Sequence, residues 1–145
     1  MARIVSINIS AQKGTCKYPV EEALLQPEYG ITADAHAGPW HRQISLLGLE
    51  SIEKMTKAGA TGLEPGVFAE NVTTEGIELF LLPVGTRLRL GECLVEVTQI
   101  GKACHKHCEV YKKVGRCVMP LEGVFARVVR GGVIRPGDEI WEETT

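Results

Sequence analysis

At 145 residues, with hydrophobic side chains at 44% and charged ones at 23%, the chain is sized for a single domain, residues 1–145, with its own core. Its net charge is −2 with basic and acidic residues intermingled, which excludes the basic stripe of a nucleic-acid-binding surface, so neither DNA nor RNA is an expected partner. No apolar run approaches the ~20 residues of a membrane span, and the N-terminal MARIVSINIS alternates like a strand instead of reading as a signal peptide. A cytoplasmic location without membrane association is therefore expected. The cysteines Cys16, Cys93, Cys104, Cys108 and Cys117 are odd in number. They read as buried, reactive or metal-bound thiols and not as a complete disulfide framework.

In chain order, Val5, Ile7 and Ile9 share one face of a first strand. Residues 20–25 suit a short helix or a strand equally well. Ser45 can cap a helix whose apolar stripe is Leu49, Ile52 and Met55, with Glu50–Lys54 and Glu53–Lys57 pairs on its outer side and Gly59 at its end. Segments 86–90 and 94–100 flank Gly91-Glu92 as a hairpin. Residues 104–119 have no clean period and read as an irregular loop. Segment 124–130 runs into Gly131-Gly132, a turn pair that tolerates positive φ at both residues. Pro136-Gly137-Asp138 then leads into a last short strand around 139–141. Closely spaced strands with glycine and proline punctuation predict a mainly β, α+β fold of barrel or sandwich type.

The densest chemistry lies at Lys102-Ala103-Cys104-His105-Lys106-His107-Cys108, with Cys117 nine residues further on. Cationic neighbours favour thiolate over thiol, so a nucleophilic cysteine is one reading. A zinc site built from Cys104, His105 or His107, Cys108 and Cys117 is another, although the spacing is not that of paired CxxC motifs. Small buried thiols without chemistry are the third.

A second constellation runs from Thr32 to Gln43. Asp34 and His36 would face the same side of an extended segment, and Arg42 and Gln43 precede the capped helix, where free amides favour an anion. The alternative is a surface loop with turn hydrogen bonds. In Pro65 to Thr74, the side chains of Glu70, Asn71, Thr73 and Thr74 could meet the hydrogen-bonding edge of a pterin or simply stabilise a turn. Arg127 interrupts an apolar strand and calls for an anionic partner, either an internal carboxylate or a ligand phosphate. Phosphate loops of the GxxxxGK[ST] and GxGxxG kinds are absent, and so is a GxSxG elbow.

Taken in order, TADAHAGPWHRQISLLG, PGVFAENVTTEGIEL, LPVGTRLRLGECLVEVTQIGKAC and EGVFARVVRGGVIRPGDEI resemble the MOSC family, the C-terminal domain of molybdenum-cofactor sulfurases. The resemblance implies a MOSC-type β-barrel with a few peripheral helices and a link to the molybdenum cofactor, a phosphorylated molybdopterin. It places the family's characteristic cysteine at Cys104, to carry a persulfide or to coordinate molybdenum. It also puts Asp34, His36, Arg42, Asn71 and Arg127 on the family's polar positions, lining the cofactor pocket. Lys102, His105 and Lys106 would hold a Cys104 persulfide anionic, and His107, Cys108 and Cys117 are possible auxiliaries. The chain carries no pyridoxal-phosphate desulfurase motif. A sulfur carrier would thus need a cysteine desulfurase as donor, with pyridoxal phosphate only on that partner, and a molybdoenzyme or cofactor-maturation protein as acceptor. Two other activities fit the same resemblance: a molybdenum-cofactor-binding reductase component and a non-catalytic Cys/His metal-binding module.

Overall fold

The structure is a computed structural model that describes residues 2–12, 15–57, 59, 63–101 and 122–143. Strand β1 (Arg3–Ile9) lies between β2 (Tyr18–Val20) and β6 (Val72–Glu75), antiparallel to both. From β6 the sheet continues through β5 (Ile44–Gly48), β9 (Val124–Arg130), β8 (Cys93–Ile100) and β7 (Arg87–Leu90) to β11 (Ile140–Glu142). All neighbours are antiparallel except β5 and β6, which run parallel. A parallel pair needs a crossover, and α1 (Leu49–Lys57) begins that connection directly after β5. A second sheet, β10 (Gly132–Ile134), β3 (Ala23–Gln26) and β4 (Gly30–Ile31), contributes Leu25, Ile31 and Ile134 to the main core.

The fold is thus mainly β with one α-helix and a 3-10 turn at Leu79–Leu81 among the described residues. The expected closed barrel does not form there. Strand β1 meets the segment leading into β11 at the isolated bridge Arg3–Glu139 and at a few backbone bonds, including Ile4 N–H to Asp138 O at 2.8 Å, without a continuous ladder. None of the helices among the described residues is long and apolar enough to cross a membrane.

Several local expectations change. A bulge between Ile4 and Ser6 shifts the alternation of β1, so Ile4 and Ile7 enter the core while Val5 and Ile9 stay half-buried. Residues 20–25 form strand on both sides of a bend, not a helix. Ser45 sits inside β5 and α1 starts only at Leu49, so Ser45 caps nothing. Lys54 pairs with Glu122, while the Glu50 carboxylate accepts the Gly76 N–H at 2.8 Å. Gly131-Gly132 is not a hairpin turn: only Gly132 has positive φ, and β10 leaves β9 to pair with β3. The Gly91-Glu92 hairpin joins β7 and β8 as expected.

A web of buried side chains fastens β1, β5 and β6. The Asn71 amide oxygen accepts the Ser45 N–H at 2.9 Å, and its amide nitrogen donates to Asn8 O at 3.2 Å. Asn8 in turn donates to Glu70 O and to Thr73 Oγ1, both at 3.1 Å. The tight turn at Pro65–Phe68 abuts this web. Gly66 has φ +93°, its O accepts the Lys17 N–H at 2.8 Å, and a Cβ there would lie 2.4 Å from Lys17 O. Gly66→Ala is expected to lower unfolding free energy by at least about 2 kcal/mol in urea titration, because a side chain must be forced into αL and against a backbone oxygen. An unchanged midpoint would show that the turn and the Lys17 segment are not rigidly apposed.

Candidate functional site

The described residues converge on an ion pair that local sequence gave no reason to expect. Lys17 is the last residue before β2, and its side chain is wholly buried. Its Nζ donates to Asp34 Oδ1 at 2.7 Å and to Ser10 Oγ at 3.0 Å, and lies 3.1 Å from His36 Nδ1. Asp34 also accepts the Ser10 N–H on Oδ1 and the His36 N–H on Oδ2, each at 3.0 Å. Burial pushes the Asp34 carboxyl up, but the Lys17 hydrogen bond and charge, together with those two amides, outweigh it and hold the group below its ordinary value. Asp34 and His36 do come together, around one carboxylate in a turn and not as same-face residues of a strand. Lys17 was missed because its only signature is long-range: nothing adjacent in KYPV marks it as buried.

The loop continues past His36, whose carbonyl accepts the Trp40 Nε1–H at 2.8 Å. Arg42 follows, its guanidinium 4.7 Å from the Trp40 ring centre and 5.5 Å from that of Phe125. Arg42 Nε is buried without a hydrogen-bond partner, and among the described residues no carboxylate pairs with this arginine. The anion-favouring helix end expected beside Arg42 is absent, because α1 starts at Leu49 and Gln43 is buried with its Oε1 accepting the Val128 N–H at 2.9 Å. His41 Nε2 lies 2.8 Å from Gln99 Oε1, and Thr98 Oγ1 donates to His41 O. The 32–43 loop is thereby pressed against the end of β8.

Asn71, Glu70, Thr73 and Thr74 have no exposed surface, and Asn71 has both amide atoms bonded inside the protein. Burial raises the Glu70 pKa, opposed by the Gly66 amide and the Thr73 hydroxyl. Arg127 projects into an ion-pair cluster, with Glu96 Oε2 at 3.2 Å and Glu28 as its second partner, so its charge is answered by protein carboxylates.

Lys102, Cys104, His105, Lys106, His107, Cys108 and Cys117 fall outside the described residues. The residues that bracket that stretch are joined, since the Gly101 N–H donates to Gly123 O at 2.7 Å. Of the two described cysteines, Cys93 is buried and its thiol is pushed up to about 11 by burial, then by Glu92 and Asp138, which suits an inert core residue. Cys16 is half-buried and its Sγ donates to Val67 O at 3.2 Å. No group of three or more His, Cys, Asp or Glu among the described residues is placed to hold a metal ion.

The sequence model of the MOSC domain matches residues 33–141, from inside the 32–43 loop to β11. The chain belongs to the MOSC domain family. That family is linked to molybdenum-cofactor sulfurases and to sulfur-related chemistry. Solved structures with this fold include the YuaD protein from Bacillus subtilis, at 21% identity and TM-score 0.78, where the alignment covers 97% of this chain and 94% of that one. YiiM from Geobacillus stearothermophilus aligns at 22% identity and TM-score 0.78, over 99% of this chain and 76% of that one. YiiM from Escherichia coli aligns at 18% identity and TM-score 0.70, over 99% and 70%. No curated protein sequence matches the chain.

In this MOSC domain the Lys17–Asp34 pair gives a signed pH prediction. A depressed folded-state pKa means that Asp34 stabilises the fold above the unfolded carboxyl value of about 3.9 and that the benefit drains away as pH falls through the folded value. Asp34→Asn is expected to cost about 3 kcal/mol at pH 7, because the Lys17 ammonium stays buried without its counter-charge. In paired urea titrations the gap between wild type and variant should stay level down to about pH 4 and close below it. A gap that persists unchanged in strong acid would contradict the ion pair.

Proposed function

We propose that this MOSC domain is a sulfur carrier of molybdenum-cofactor maturation, with Cys104 as the sulfur-bearing residue and the 32–43 loop as the wall that meets the cofactor. One observation supports it most directly: Arg42 is half-buried with its guanidinium over the Trp40 and Phe125 rings, with a buried Nε lacking a partner and no carboxylate answering its charge among the described residues. A protein rarely strands a cation in that setting without an anion to receive, and a planar guanidinium matches a phosphate. Such a donor fits the phosphorylated pterin that the family association implies.

Arg42 also lies beside the end of β8, the strand that precedes the cysteine cluster in sequence. Phe125, beneath its guanidinium, is the register partner of Gln99 on β8. Gly101 directly follows that strand, and Cys104 is three residues further on, within at most about 10 Å of chain. Arg42 would hold the cofactor's phosphate, while Asp34 and His36 supply polar contacts from the same loop. Asn71 and Arg127 serve this reading as supports: the first ties β5 to β1, and the second anchors β9 to β8 and to the turn at Glu28. When bound, the cofactor supplies a molybdenum centre able to take a terminal sulfur ligand.

The chain's own part is sulfur handling. The Cys104 thiolate attacks the outer sulfur of a persulfide on a cysteine desulfurase. A new S–S bond forms at Cys104, the donor's S–S bond breaks, and the donor cysteine leaves as thiolate, with no net oxidation. Lys102, His105 and Lys106 favour the anionic forms of both thiol and persulfide by charge. The acceptor is a molybdoenzyme or a protein of cofactor maturation.

Cys104→Ser tests the assignment. With a cysteine desulfurase and cysteine, the wild type should gain about one equivalent of cyanide-releasable sulfane sulfur per chain, by the one-thiol stoichiometry of exchange. The serine variant should gain essentially none while its circular dichroism is unchanged. Equal loading of both proteins would overturn the assignment.

A further inference from the structure

Among the described residues, the ammonium of Lys17 donates to Asp34 Oδ1 at 2.7 Å and to Ser10 Oγ at 3.0 Å, and it faces His36 Nδ1, 3.1 Å away. We propose that Lys17 is a positioning residue that fixes His36 as the neutral Nε2–H tautomer, so that the loop meets its ligand with an imidazole N–H donor and not with an imidazole base. The inference deepens the reading of the 32–43 loop as the ligand-facing wall and rests on it for its functional meaning.

The argument is one of donors and acceptors. An ammonium can only donate, so the ring nitrogen facing it must accept, and the proton of a neutral imidazole then resides on the other nitrogen. The opposite tautomer would set an N–H against an ammonium, with two donors facing each other. Asp34 does not rescue that arrangement: its Oδ2 is 3.8 Å from His36 Nδ1, beyond hydrogen-bond range, and already accepts the His36 backbone N–H at 3.0 Å. The Asp34 carboxyl is held below its ordinary value, which keeps it anionic and keeps Lys17 the charged donor of the set. The ring itself is not buried with the pair, since 27% of the His36 side chain is exposed against 0% for Lys17 and 1% for Asp34. The cluster therefore works outward: a buried carboxylate orients a buried ammonium, and the ammonium dictates which proton a partly exposed imidazole carries. A neutral imidazole with a fixed N–H is suited to donate to an oxyanion or carbonyl oxygen, and it forgoes general-base chemistry at that nitrogen.

Long-range proton–nitrogen correlation on protein labelled with nitrogen-15 histidine reads the tautomer directly. At neutral pH the wild type should show His36 Nδ1 in the pyridine-like range and Nε2 in the pyrrole-like range. The reversed pattern, fast-averaged nitrogens or two protonated nitrogens would overturn the proposal without any variant. The double variant Lys17→Met/Asp34→Asn removes both charges together, so neither is left buried alone, and in it His36 should relax to averaged nitrogens. A His36 that keeps the wild-type pattern in the folded double variant would show that Lys17 does not set it. Neither cofactor nor sulfur enters this measurement, so its failure is distinct from failure of the Cys104 assignment.

Discussion

The Lys17–Asp34 ion pair is the contact on which the site depends. It joins segments 17 residues apart in sequence, and each partner is out of contact with water. A buried ion pair adds little net stability when whole, yet losing one partner alone is costly, because the other charge stays in a low-dielectric interior. That asymmetry makes it a pin. With Ser10 and the His36 amide completing the hydrogen bonds of Asp34, the start of the 32–43 loop has one arrangement against the end of β1. The rest of the loop follows through short links: Trp40 to the His36 carbonyl, Arg42 to the Trp40 ring, and His41 to Gln99 on β8.

Beneath the loop lies a second polar layer, buried between the strands. Asn71, Ser45, Asn8, Thr73 and Glu70 hold three strands in register at no exposed surface for Asn71, Asn8, Thr73 and Glu70. Glu70 sits next to Ala69, a non-glycine residue at φ 65°, and its carboxylate accepts the Gly66 N–H at 3.0 Å, so the side chain closes the turn whose backbone is least comfortable. Arg127 is answered by Glu28 and Glu96. Two arginines that look alike in sequence thus divide: one completes a carboxylate cluster, and the other lies over aromatic rings with no carboxylate partner among the described residues.

The sequence made the β-rich class legible through alternation and turn chemistry, and the hairpin at Gly91-Glu92 lies where those signals put it. Local rules failed where tertiary pairing overrode them. Ser45 looks like a cap because it is a serine ahead of an amphipathic run, but its neighbours Ile44, Leu46 and Leu47 are buried on both faces of a central strand. The β1 bulge puts Ile4 in the core in place of Val5 while Ile7 stays there, and no residue type in RIVSINI announces it. Asp34, His36 and Arg42 could be singled out because they lie within nine residues of each other. Lys17 could not, since its role exists only once the chain has returned from β4. The cysteine cluster is plain in sequence and outside the described residues, so its chemistry rests on residue types, chain length and family membership.

The central claim is that the domain handles sulfur for a molybdenum–pterin cofactor, and the state of the protein as isolated tests it most directly. Intact mass combined with metal and pterin analysis should be measured on protein purified without oxygen or added reductant. The account predicts one additional sulfur atom located on Cys104, or molybdenum together with pterin. Stoichiometric zinc, with neither extra sulfur nor pterin, would contradict it and identify the Cys/His cluster as a metal-binding module.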